Sequence, residues 1–179
     1  MKEIITRNYQ SPFGVLVLGD FEGKLCLCDW KYRAKRDLID KRILEGLNAV
    51  YKEGDSELLN STILQLEEYF NLERKKFTLP VLKVGTEFQN RVWSALQKIK
   101  YGTTASYSDL TKQLGDLKAI RAVSSANGSN AISVIIPCHR IIGSNGTLTG
   151  YAGGLQAKKR LLKIEGSLPD HGQLDLFGE

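Results

Sequence analysis

The chain has 179 residues, 42% hydrophobic and 25% charged, an ordinary balance for a soluble globular protein that buries one core or two small ones. No apolar run approaches the roughly 20 residues that span a bilayer. Lys2, Glu3 and Arg7 also put charges where a secretory signal is apolar, so neither membrane insertion nor export is expected. The net charge of +5 is unevenly placed, with 12 basic and 4 acidic residues from Lys83 to Glu165 against 13 and 16 elsewhere. That asymmetry suits a polyanionic partner such as nucleic acid, and a merely solvated basic surface is the bland alternative.

Three apolar runs, residues 4–9, 15–18 and 25–30, are separated by Ser11-Pro12-Phe13-Gly14 and Asp20-Phe21-Glu22-Gly23, so the chain opens as strands joined by tight turns. Leu38, Ile39, Ile43, Leu44 and Leu47 make a helical stripe over residues 35–47. Ser56 starts a second helix in which Leu59, Ile63, Leu66, Tyr69 and Phe70 recur at helical spacing; Glu57 suits its positive end and Asn71 closes it. Residues 77–81 read as extended, and a boundary falls near residues 82–85. The expected division is an N-terminal domain over 1–82, a second domain over 83–168, and a loosely held tail over 169–179 that contains an exposed His171.

Beyond the boundary the chain turns helical. Thr86 caps a helix through Ile99 that buries Phe88, Val92, Trp93 and Leu96. After a turn at Tyr101-Gly102-Thr103-Thr104, Ser106 caps a short helix to Leu114, Gly115 ends it, and another helix covers residues 117–126. Helix, glycine turn, helix is the helix-turn-helix pattern, weak alone because helical pairs occur in any bundle. The second of these helices carries small residues and one arginine, Arg121. Small side chains let a helix backbone approach a partner while the arginine reaches into it; Val123 and Ala126 serve ordinary packing.

The turn cluster Asn127-Gly128-Ser129-Asn130 leads through residues 132–136 to the heptapeptide Ile136-Pro137-Cys138-His139-Arg140-Ile141-Ile142. Proline fixes the approach to Cys138. Imidazole and guanidinium beside the sulfur are expected to lower its pKa and generate thiolate, the form that attacks carbon. A buried, inert thiol is the alternative. The three cysteines, Cys26, Cys28 and Cys138, form no disulfide framework, which points to a reducing, cytoplasmic setting. The glycine-rich stretch Thr149-Gly150-Tyr151-Ala152-Gly153-Gly154 lacks phosphate-loop spacing and is not read as a nucleotide site; its glycines admit a flat ligand, with Tyr151 placed to stack. A last helix covers residues 155–165.

Pro137-Cys138-His139-Arg140 joins a set of further matches: Tyr107 within Ala105-Ser106-Tyr107, Arg121 within Ala119-Ile120-Arg121-Ala122-Val123, Asn130, Gly150-Tyr151-Ala152-Gly153-Gly154 and Glu165. In this order and spacing the chain resembles the O6-alkylguanine-DNA alkyltransferases, or methylated-DNA–protein-cysteine methyltransferases, closely over residues 86–166 and more loosely before. The resemblance implies an α+β fold: a ribonuclease H-like N-terminal domain with a small antiparallel sheet and helices, then a mostly helical, winged helix-turn-helix-like domain. It implies single-turnover transfer of a methyl or alkyl group from O6-alkylguanine, and from O4-alkylthymine, in double-stranded DNA to Cys138. The protein so implied is a monomer that uses no cofactor and no metal. By the same resemblance His139 is the base, acting through a water, and Glu165 orients the imidazole. The damaged base is rotated out of the duplex, and Arg121 fills the vacated stack. Its helix, with Ala119, Ile120, Ala122 and Ser124 on the DNA side, enters the minor groove. Tyr107 pushes the flanking phosphate and donates a proton toward guanine N3. Asn130, Ile141, Tyr151, Ala152 and Gly153 build the base pocket, with Asn130 tying its turns together and Tyr151 covering the base.

The chain departs from the family pattern at Ala131 and Ser133, where prolines are frequent, and at Ala152, where serine is frequent. Cys26 and Cys28, alternate residues on one strand, point to one face, but no histidine precedes His139 to complete a zinc site with them. Two other readings compete. A lesion-recognition protein without chemistry commonly carries tryptophan in place of the cysteine, so Cys138 argues against it. A Cys-His-Glu hydrolase leaves the basic half and the Arg121 helix unexplained, and it regenerates its thiol at every turnover.

Overall fold

A computed structural model describes residues 1–168; the expected tail over 169–179, His171 included, lies outside the described residues. β1 (Lys2–Ser11), β2 (Gly14–Phe21) and β3 (Lys24–Trp30) form the meander that the two turns predict. Glu22 and Gly23 both take positive φ, 52° and 77°, as a two-residue hairpin that follows strand twist requires. The sheet is mixed rather than purely antiparallel. α1 (Arg36–Leu47) carries the chain from β3 at one edge to the other, where β4 (Ala49–Glu53) pairs in parallel with β1, giving the order β3-β2-β1-β4. Only Ala49 of β4 is buried, so its sequence carries no alternating apolar signal.

α1 buries Ile39 and Ile43 with Ile4, Phe21, Cys26 and Leu27 on one face of the sheet. α2 (Glu57–Phe70), capped by the Ser56 side chain, buries Leu59, Leu66 and Tyr69 with Tyr9, Leu16, Leu18 and Leu25 on the other. The β2–β3 register slips at Gly19/Asp20, a bulge that turns Cys26 and Leu27 toward α1 while Leu25 and Cys28 face α2. Cys26 and Cys28 therefore enter different cores, and the expectation of one shared face is corrected. Among the described residues no cluster of three metal-ligating side chains forms, and no helix is long and apolar enough to cross a membrane.

In the second half, α3 (Glu87–Leu96) opens with a capping box between Thr86 and Gln89 and buries Val92, Trp93 and Leu96. It stops short of Ile99: Lys98 and Ile99 make tight i,i+3 bonds, and the Ile99 carbonyl is taken by Arg140 instead. β5 (Ala105–Ser106) runs directly into α4 (Tyr107–Gln113), whose capping box joins Ser106 and Asp109. Gly115, at φ 83°, ends that helix. Residues 117–119 form a 3-10 turn rather than the start of a helix, because the Asp116 side chain caps Lys118 N; α5 (Ile120–Gly128) follows. β6 (Ile141–Ile142) pairs in parallel with β5, and α6 (Gly154–Ile164) closes the described chain.

One apolar core runs from the α2 face of the sheet through α3, α5, residues 132–141 and α6. The outer edge of β3 is covered twice: Val81 bridges Leu25, and Ile132 bridges Cys28. A covered edge satisfies the strand's backbone and fixes the segment that leads to Cys138.

Candidate active site

The approach to Cys138 is a sharp and strained piece of backbone. Cys28 N donates to Ala131 O at 2.9 Å and Ser133 N donates to Cys28 O at 2.7 Å, so β3 grips the segment. Ser133 Oγ also donates to Asp29 Oδ1 at 3.2 Å; a proline here would lack both donors. Val134 then takes φ 71° while wholly buried, a left-handed conformation that costs a β-branched residue about 1–3 kcal/mol. Asn130 offsets that strain. Its Oδ1 accepts from Ile132 N at 2.9 Å, and its Nδ2 donates to Ile136 O at 2.9 Å and to Cys138 Sγ at 3.2 Å. Arg33 holds Asn130 from the N-terminal half: Nη1 reaches both Asp29 and the Asn130 carbonyl, and Nη2 the Gly128 carbonyl.

Cys138, His139 and Arg140 make one buried 3-10 turn after Pro137. His139 Nε2 lies 2.9 Å from Glu165 Oε1, and its Nδ1 is buried with no hydrogen-bond partner. Glu165 also accepts from Arg140 Nε and Nη2, each at 2.9 Å, and from the Tyr69 hydroxyl at 2.6 Å. Burial raises the Glu165 pKa, but the hydrogen bonds from His139 and Arg140, with the guanidinium charge of Arg140, outweigh it and hold the carboxyl at about 2. Burial also lowers the His139 pKa, with Arg140 and Lys158 adding to the effect and Glu165 only partly opposing it, so the imidazole is neutral. A neutral ring beside an ionised carboxylate carries its proton on Nε2, which leaves Nδ1 as the free lone pair.

The thiol corrects one expectation. Arg140 does not face the sulfur, because its guanidinium is committed to Glu165 and to Ile99 O. Burial pushes the Cys138 pKa up; the Asn130 hydrogen bond and the charges of Lys158 and Arg33 pull it down only in part, and Asp29 opposes them. The resting cysteine is a protonated thiol, and thiolate forms only when a base takes its proton.

The glycine-rich loop stands beside this cluster. The Tyr151 and His139 rings are 6.3 Å apart, and Trp30 Nε1 donates to the Tyr151 hydroxyl at 3.2 Å. A Cβ on Gly153 would come within 2.5 Å of the Trp30 indole, so the loop passes here only as glycine. Lys158 is wholly buried and donates to Thr149 O at 2.7 Å. Burial lowers its pKa to about 8 against the pull of Cys138. Ala152 is half-buried in the same loop, and Ile141 is fully buried on β6.

The remaining sequence-derived residues lie on the helix pair. Pairing of β5 with β6 delivers Tyr107, half-buried at the first position of α4, next to the strand that follows the cysteine turn. On α5, Arg121, Ala122 and Ser124 are exposed while Val123 and Ala126 face the core; Ile120 is exposed and Ala119 half-buried at its start. Among the described residues, no side-chain hydrogen bond joins Arg121, Ala122 or Ser124 to the group of Cys138, Asn130, His139 and Glu165. Sequence reasoning missed Tyr69, Trp30, Arg33 and Lys158 as parts of the site. Lys158 alone carried a signal, a lysine on the Ala157, Leu161, Leu162 stripe where a helix is buried.

Fold and site together define a helix-turn-helix protein with a buried Cys-His-Glu group. Residues 4–82 match the 6-O-methylguanine DNA methyltransferase, ribonuclease-like domain, and residues 87–167 match the DNA binding domain of the same family. The chain belongs to the 6-O-methylguanine DNA methyltransferase family. A methylated-DNA–protein-cysteine methyltransferase of Methanosarcina acetivorans is 42% identical over 160 residues, 89% of this chain and 96% of that protein. The constitutive one of Bacillus subtilis is 40% identical over 158 residues, 87% and 92% of the two. The crystal structure of Mycobacterium tuberculosis O6-methylguanine methyltransferase matches with a TM-score of 0.77 at 36% identity, over 94% of this chain and 96% of that one. The structure of Mycobacterium tuberculosis OGT in complex with DNA matches with a TM-score of 0.77 at 37% identity, over 90% and 92%.

Proposed function

We propose that this protein reverses DNA alkylation directly, moving a methyl or larger alkyl group from O6 of guanine, or O4 of thymine, in duplex DNA onto Cys138, once per molecule. It acts as a cytoplasmic monomer without a cofactor, with residues 1–82 as the supporting domain and 83–168 as the DNA-binding and transfer domain. The observation that carries this reading is the polarity of His139: Nε2 is held by ionised Glu165 while Nδ1 is buried and unpartnered. A water placed between Nδ1 and the thiol moves the Cys138 proton to the imidazole. The sulfur electron pair then attacks the alkyl carbon; the C–S bond forms as the C–O6 bond breaks, and the released pair passes to the purine. Tyr107 supplies a proton to N3, which yields neutral guanine, and recovers one from solvent. A thioether has no good leaving group, so the thiol is not regenerated.

The exposed α5 face of small residues around Arg121 supports entry into the minor groove, with the arginine replacing the base as it rotates out. Asn130, Ile141, Tyr151, Ala152 and Gly153 line the pocket that receives it. The test is the count of methyl groups moved when duplex carrying O6-[methyl-14C]guanine is in large excess. The expected plateau is one per protein, and Cys138→Ala binds the duplex with none transferred. Continued turnover sinks this reading in favour of a hydrolase.

A further inference from the structure

Transfer as just described uses Cys138, His139 and Glu165, but the carboxylate, besides His139 and Arg140, has a third partner from the other half of the chain. Tyr69 stands near the end of α2 and is wholly buried, and its hydroxyl donates to Glu165 Oε1 at 2.6 Å. That bond is shorter than the 2.9 Å contacts from His139 and Arg140 and lands on the same oxygen that His139 Nε2 faces. The ring itself packs against Phe70, Phe77 and Tyr101, work that phenylalanine performs equally well. A buried hydroxyl is costly unless paired, and a short O–H···O⁻ bond to a carboxylate is among the stronger pairs a protein makes.

We propose that Tyr69 is a positioning residue for alkyl transfer, its hydroxyl fixing the Glu165 carboxylate and drawing charge off Oε1 so that His139 stays neutral with Nδ1 open. This rests on the alkyl-transfer reading above. The α2 helix of the ribonuclease-like domain thereby belongs to the proton path, beyond packing beneath it. Without the hydroxyl, Oε1 carries more charge toward His139, the imidazolium gains stability, and the base is lost to protonation at higher pH. The other groups facing the cluster stay in place. Arg140 binds Glu165 and lies over the Tyr101 ring, Lys158 disfavours imidazolium, and Cys138 sits beside His139. The Tyr151 ring is 6.3 Å from the imidazole, Tyr101 donates its hydroxyl to Ile164 O, and Lys75 lies over Tyr101.

The experiment measures the second-order rate constant of methyl transfer from an O6-methylguanine duplex between pH 5 and pH 9, for the full chain and for Tyr69→Phe. Duplex affinity and thermal melting are recorded beside it. In Tyr69→Phe the midpoint of the acid limb moves up by about half to one pH unit, the part of one hydrogen bond to a charged group that reaches His139 through the shared carboxylate, while duplex affinity holds. An acid limb that stays put, whatever happens to the plateau, overturns the proposal and returns Tyr69 to the core. Site-specific 3-fluorotyrosine at position 69 covers the case in which Tyr69→Phe does not fold. Burial and Glu165 keep its phenol protonated, and fluorine makes it a stronger donor, so the limb moves down; an unmoved limb again overturns the proposal. Wild-type protein that transfers no methyl at any pH removes the alkyl-transfer reading and this inference with it. Normal wild-type transfer with unmoved limbs removes only the inference.

Discussion

Glu165→Gln tests the buried charge network most severely. The carboxylate accepts from Tyr69, from His139 and twice from Arg140; the amide turns one acceptor into a donor and leaves Arg140, only 7% exposed, without its counter-charge. A carboxyl held at about 2 instead of the ordinary 4.5 contributes about 3 kcal/mol of folding free energy at neutral pH. Removing one partner of a buried ion pair costs about 3–5 kcal/mol, so two independent routes give the same size. Because the folded-state value lies below the unfolded one, this stability is complete above about 4.5 and drains away as pH falls toward 2. His139 acts with the same sign, since burial keeps it neutral while the unfolded chain takes up a proton below its ordinary 6.5. Urea melts at pH 7, 5 and 3 read the result. The variant starts about 3–5 kcal/mol below wild type at pH 7, and the gap narrows through the window from 4.5 down. Equal stability at pH 7 with an identical acid slope refutes the network as described.

Asn130→Ala removes the side chain that offsets the Val134 strain and touches the sulfur, so it lowers stability by about 2 kcal/mol and slows methyl transfer at least about ten-fold without weakening duplex binding. Calorimetry with single-turnover kinetics checks it, and unchanged kinetics contradict it. Gly153→Ala drives a methyl into the Trp30 indole and costs about 1–3 kcal/mol; adding Trp30→Ala recovers part of the transfer rate, and no recovery disproves the close approach as the cause. Arg121→Ala slows repair of duplex more than reaction with the free base O6-benzylguanine, and equal losses on the two substrates remove its role in the stack.

Legibility of the fold followed burial and capping. Ser56, Thr86 and Ser106 each announce a helix through a side chain that accepts from the third residue on, and each does so in the structure. β4 was illegible because it is a half-solvated edge strand paired with the first strand of the chain, with one buried residue to mark it. The split of Cys26 from Cys28 comes from a bulge, and strict alternation contains no sign of an inserted residue. In the site, the family resemblance singled out Cys138, His139, Asn130 and Glu165, which the structure brings together, but not their electrostatics. A neighbour in sequence says little about where a long side chain points, so Arg140 read as the thiol's cation is in fact the carboxylate's partner. Tyr69 sits on an apolar helical stripe, where periodicity reports the ring and is blind to the hydroxyl.

Direct reversal, as proposed, leaves the alkyl group on Cys138 itself. Intact and peptide masses after reaction with a duplex bearing one O6-methylguanine decide it. The expected result is one added methyl, confined to the peptide that contains Cys138, with Cys26 and Cys28 unmodified in their separate cores. A methyl on any other residue, or a protein that clears the lesion and returns unmodified, contradicts it.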